Sequence, residues 1–269
     1  MLSRWLIHKV RTSTLYNKFH LIEIDEQTKM DKDMKSYLCK LLLTARIDPK
    51  MLLTAAKRVG WKKTESLLVH PSLPAKPLKR RGDFGEILTN AILVELMGYI
   101  IPVQKLRFTI SPEQSLAGTD TIAIKKGKGY FSEMCFVESK LRTANDSYSC
   151  HAAVEGYEQL KKDYLEKAPD MIQFILARLH DRGDPLFNDF LKYLNNRQDL
   201  TDIDRFRLGL VWDHEKWKEE VLQSLEDEVD VESIPKMVVQ RVRVQKLASQ
   251  VKDLFDSIGV DVITDDQEN

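Results

Sequence analysis

The chain has 269 residues, 43% of them apolar, and its 41 basic side chains are balanced by 41 acidic ones. That length supports a sizeable core without disulfide or metal staples, and zero net charge excludes a protein held on nucleic acid by its overall field; such a partner must meet a local patch or a second protein. Cys39, Cys135 and Cys150 are odd in number and lack the paired spacing of a zinc site, which points to free thiols in a reducing, cytoplasmic setting.

In chain order, the first twenty residues carry Arg4, Lys9, Arg11 and Lys18 but no acid. This bias is shared with mitochondrial presequences, and here reads as a basic N-terminal surface element. Residues 31–62 read as two helices, the second capped by Asp48, opened by Pro49 and closed by Gly60. HPSLPAKPLKRRGD, with Pro71, Pro74 and Pro77, then separates a mostly helical N-terminal region (1–75) from a core (76–214).

From Asp83 the run FGEILTNAILVELMG is helical and apolar nearly all round, as in a helix buried against a sheet, so Glu86 and Glu95 need a reason to be there. The segment AILVELMGYIIPV is interrupted by Glu95 and too short to span a bilayer. Strand-like runs follow: YIIPVQKLRF, GTDTIAIKK and YFSEMCFVESKLR, the last two parted by Gly127 and Gly129. A long helix is expected from Ser147 to about Lys167, and RFRLGLVWD (205–213) is a further strand. Helix, three strands, helix, strand is the order of an α/β sandwich around a central mixed sheet. An extension (215–269) adds an acidic helix over 215–232, a strand KMVVQRVRV and a closing helix KLASQVKDLFDSIG.

Chemistry concentrates in FVESKLR. Strand alternation puts Glu138 and Lys140 on the face of Met134 and Phe136, with Val137 and Ser139 on the other. Charges continuing an apolar stripe must pair with each other or serve a third party. Alone, Glu-x-Lys is an edge ion pair and Asp before a strand a turn residue. In an antiparallel hairpin, however, Asp120 at the start of one strand lies beside Glu138 and Lys140 at the end of the next. Two carboxylates with open positions suit Mg²⁺ (or Mn²⁺), and a nearby lysine can position or deprotonate an attacking water.

This constellation resembles the PD-(D/E)xK nuclease superfamily. The resemblance implies a restriction-endonuclease-like core, Asp120 and Glu138 as metal ligands, Lys140 as the water-activating lysine and Glu86, in FGE, as a helix carboxylate that also serves the metal. Thr119 stands where the name-giving proline would be, and the Gln-x-x-x-Tyr element of recombination-type relatives is unmatched, since Tyr164 follows Gln159 one place too late. Across residues 80–165, RGDFGEILTNAILVELMGY through AGTDTIAI to FVESKLR is similar to the HamA family, nuclease subunits of the Hachiman anti-phage defence system. That similarity implies a DNA substrate and a large helicase partner, HamB, that restrains the nuclease. The other reading is a non-catalytic adaptor with a nuclease-like fold that binds a helicase or DNA ends. No glycine-rich phosphate loop is present, so any ATP hydrolysis belongs to the partner.

Candidate phosphate contacts are LKRR (78–81), the lysines at 125, 126 and 128, and Arg241 with Arg243, each set against the plainer reading of a solvated charge. His151 reads as a half-buried helix residue, Trp212 and Trp217 as core or partner contacts, and EDEVDVE (226–232) as a solvated helix end.

Overall fold

A computed structural model describes residues 1–9, 16–127, 131–144, 147–195, 204–230 and 236–259. Seven strands form one sheet: β1 (Leu6–Lys9), β2 (His20–Glu26), β3 (Tyr99–Ile100), β4 (Thr121–Lys126), β5 (Phe131–Arg142), β6 (Asp204–Asp213) and β7 (Lys236–Val244), in the order β1-β2-β7-β6-β5-β4-β3. The central pairs β2/β7, β7/β6 and β6/β5 are parallel, while β5/β4, β4/β3 and β1/β2 are antiparallel. The helices are α1 (Lys32–Arg46), α2 (Pro49–Val59), the short α3 (Trp61–Thr64) and α4 (His70–Ser72), α5 (Pro77–Met97), the short α6 (Ser147–Cys150), α7 (Ala152–Asp181), α8 (Leu186–Asn195), α9 (Glu220–Glu228) and α10 (Leu247–Asp256).

Alternation along the strands builds two cores. Phe206, Leu208, Leu210 and Trp212 of β6 and Met134 and Phe136 of β5 pack with Tyr157 and Leu160 of α7. On the other face, Val211, Val242 and Leu141 meet Leu42 of α1, Phe84 and Leu88 of α5, and Val251 of α10. Both faces are covered, as the parallel centre requires.

Several expectations are met and several corrected. Asp48 caps α2 by accepting from the backbone N–H groups of Lys50 and Met51, with Pro49 first in the helix and Gly60 after it. Helix α5 begins at Pro77, not Asp83, so LKRRGD forms its first turns. YIIPVQKLRF yields only the two-residue β3 followed by a 3₁₀ turn at Lys105–Phe108. The N-terminal segment keeps Arg4 and Lys9 at the surface but is more than a surface element: Leu2, Trp5 and Leu6 are buried, β1 and β2, unanticipated, extend the sheet, and Arg11 lies outside the described residues. Helix α7 runs thirty residues through Pro169, and α8 follows it.

Candidate active site

The register of the β4/β5 hairpin, with Thr121 opposite Val137, brings Asp120 alongside Glu138. Asp120 Oδ2 accepts from the Ser139 backbone N–H at 2.8 Å and from Ser139 Oγ–H at 2.7 Å, which fixes this carboxylate against β5. Two positions along β5, Lys140 Nζ donates to Glu138 Oε1 at 2.8 Å. Glu86 projects from α5 and is buried. Of the four residues nominated from sequence, three thus converge on the β4/β5 edge, and Glu86 joins them through the field it shares with Asp120.

That field is strongly unfavourable to three ionised carboxylates. Burial first, then the charges of Asp120 and Asp83, push the Glu86 carboxyl well above its ordinary range, against Lys105 and Lys79. Burial and then Asp120 raise Glu138 to about 7, although Lys140 pulls it down. Asp83, one helical turn before Glu86, is held by Arg46 and by Lys79 Nζ at 2.6 Å.

The sequence reading missed Lys105, which lies in the run taken for a strand. Its ammonium donates to the carbonyls of Ala117 and Gly118, each at 3.2 Å, and of Thr119, tying down the loop that presents Asp120. Burial lowers its pKa while Asp120, Glu86, Glu138 and Asp163 oppose that shift, so this lysine is the internal counter-cation of the cluster. The available signal was slight, a lysine between Gln104 and Arg107 in the run ahead of GTD. Gly118 has φ +88° and a Cβ there would sit 2.5 Å from Met171 Sδ, so only glycine turns this loop so tightly under α7.

Gly156 of α7 was likewise missed. A Cβ on it would lie 2.5 Å from Leu208 Cδ1 and 3.3 Å from Cγ and Cε of Lys140. Its bare backbone lets α7 settle against the lysine stem and aim Nζ at Glu138. Gln159, nominated only for a motif it fails, donates instead to the buried Asp163 at 2.6 Å, which also receives Lys167 Nζ at 2.7 Å.

Most nominated phosphate contacts are engaged within the chain. Lys79 pairs with Asp83; Arg80 reaches Asp256 at 2.7 Å and the Pro74 carbonyl; and Arg81 reaches Thr143. Lys125 sits over the Tyr99 ring, Lys126 faces Asp189, and residue 128 lies outside the described residues. Arg241 is buried between Glu23 and Glu219, and Arg243 makes a two-pronged bond to Asp25, so this pair joins β2 to β7 instead of facing a ligand. His151 is exposed at the start of α7. Trp212 and Trp217 pack edge to face at 5.4 Å as core, and Glu226 accepts from the backbone of Asn17 and Lys18.

Glu86, Asp120 and Glu138 offer only oxygens, the donor chemistry that Mg²⁺ or Mn²⁺ takes, and a divalent ion would relieve the repulsion that raises Glu86 and Glu138. Among the described residues no group of three or more aspartate, glutamate, histidine or cysteine side chains is placed to hold a metal ion by itself. Mg²⁺ commonly uses one or two carboxylates and completes its shell with water and phosphate, so the set fits it. Among the described residues no helix is long and apolar enough to cross a membrane.

A mixed sheet flanked by helices, with α5, β4, β5 and α7 gathering Asp, Glu-x-Lys and a helix Glu at its edge, defines an α/β protein with a nuclease-like core. The chain belongs to the HamA family, whose model matches residues 1–259, and it is thereby a component of Hachiman defence. A search of the curated proteins gave no match.

Proposed function

We propose that this chain is a metal-dependent DNA nuclease, the effector subunit of a cytoplasmic anti-phage complex that a helicase partner restrains and directs. The observation that carries the reading is the pairing of Lys140 with Glu138 at 2.8 Å, next to Asp120, in a cluster where burial and like charge raise Glu138 to about 7. Asp120 and Glu138 would hold Mg²⁺ or Mn²⁺ with water and phosphate completing its shell, and Glu86 on α5 would be the further carboxylate that serves the ion. When bound, such an ion supplies charge neutralisation at phosphorus and a more acidic water. Lys140 Nζ positions or deprotonates the attacking water, Ser139 holds Asp120 in place, and Lys105 keeps the loop before it rigid.

The test is plasmid degradation by the purified chain, alone and with its copurifying partner, in Mg²⁺ or EDTA, for wild type, Glu138→Ala and Lys140→Ala. Cutting that needs the metal and vanishes in both folded variants is the expected result. Retained cutting by folded variants refutes the site. No cutting under any condition, with partner binding intact, makes the chain the adaptor.

A further inference from the structure

A groove of about 420 Å³ runs along Leu106, Arg107 and Phe108 of the 3₁₀ turn and is lined also by Arg46, Arg178 and Arg182. Two acids, Asp48 and Asp181, share its walls. Arg46 is committed to Asp83, and Arg107 donates from Nε and Nη2 to the Thr44 carbonyl, at 2.9 and 2.6 Å, with Asp48, the cap of α2, 3.6 Å from its Nη1. Arg178 reaches Asp181 at 3.2 Å and lies over the rings of Phe108 and Phe174, at 5.1 and 5.6 Å from their centroids. The two rings lie edge to face with each other, and the buried Nε–H of Arg178 has no partner. Arg182 donates to the Pro102 carbonyl and faces Asp184. Burial and the charge of Arg182 together hold Arg107 below its ordinary range, against Asp48; the two guanidiniums feel each other. An anion between them would relieve that repulsion.

Two elements join the groove to the catalytic cluster. The turn Lys105–Phe108 places Lys105 against the loop before Asp120 and Arg107 and Phe108 in the groove. Helix α7 carries Asp163 and Lys167 near the cluster and Arg178 and Arg182 further along. Fifteen residues of helix separate Asp163 from Arg178, about 22 Å at the helical rise. Along the axis of a duplex, where each strand carries one charge per ~3.4 Å, that is about six nucleotides.

We propose that this groove is the track for the phosphate backbone of a nucleic-acid strand on its way to the carboxylates, contacted by Arg107, Arg178 and Arg182. The proposal rests on the nuclease reading for its direction of travel, though not for the binding itself.

The test is equilibrium binding of the full chain to a fluorescein-labelled DNA of about 30 nucleotides, single-stranded and duplex, across a salt series starting at low salt. Arg178→Gln with Arg182→Gln should weaken binding and make log K against log salt shallower by about one unit per arginine. The paired Lys replacements should retain most of the slope. Ile110, 98% exposed on the rim, supplies a variant that leaves the core intact: Ile110→Lys should tighten binding and steepen the slope. Slopes unchanged in all these variants, or a wild type that fails to bind at low salt, overturn the proposal. Loss of the copurifying partner with an unchanged DNA slope also overturns it and gives the groove to an acidic protein surface. Slopes that shift as expected in a chain that never cuts leave the track standing while the nuclease reading falls.

Discussion

Replacing Glu138 with Gln should stabilise the metal-free protein, by an amount that grows with pH. Glu138 is 6% exposed, and its carboxyl is raised from 4.5 to about 7 by burial and by Asp120. The folded state therefore holds this proton more tightly than the unfolded chain does. The stability contributed is full below pH 4.5 and is lost as pH rises through 7. With 1.36 kcal/mol per unit, ionising the group in place costs about 3 kcal/mol at pH 8 and under ~1 kcal/mol at pH 5. Gln keeps an oxygen for Lys140 and never ionises. Scanning calorimetry in EDTA should show Glu138→Gln melting about 5–10 °C above wild type at pH 8, converging toward it at pH 5. A variant no more stable at pH 8, or a difference that ignores pH, would refute the claim that the cluster is electrostatically strained. Cleavage should be lost in the same variant, which makes the strain functional.

Adding Mg²⁺ at pH 8 should raise the melting temperature of wild type in a concentration-dependent way, up to ~2.7 kcal/mol at a hundred times Kd, and should do little to an Asp120→Asn, Glu138→Gln double variant. Gly156→Ala should reduce cleavage roughly tenfold or more by pushing on Lys140, whereas Gly82→Ala, where an added Cβ meets nothing within 4 Å, should be neutral or stabilising by up to ~1 kcal/mol. Equal activities of these two alanine variants would show that α7 does not set the lysine. Lys105→Met removes three bonds to the loop carbonyls and should destabilise by about 2–3 kcal/mol, read from urea midpoints.

Local chemistry was legible in the sequence. The cap at Asp48, the end of α5 before Gly98 and the face shared by Glu138 and Lys140 all depend on neighbours a few residues away. Asp120 was legible because a hairpin links near neighbours. What escaped depends on distant partners. Arg241 and Arg243 read as solvent-facing on their own strand, yet β2 supplies Glu23 and Asp25 from more than two hundred residues away. Lys105 was hidden because the run opens with the strand-like YIIPV and ends on Phe108, while its backbone turns at Lys105–Phe108. The start of α5 was misplaced because prolines read as a break, although Pro77 opens the helix.

The order of strands has a consequence for when the candidate site comes together. Strand β5, which carries Glu138 and Lys140, leans on β6, β6 on β7, and β7 on β2, so the sheet is closed only when residues 236–244 pair with residues 20–26. While it is being synthesised, the growing chain carries Asp120, Glu138 and Lys140 on a hairpin whose parallel neighbours do not yet exist. Pairings of such long range form late. The topology itself delays assembly of the candidate site until the closing strand is made.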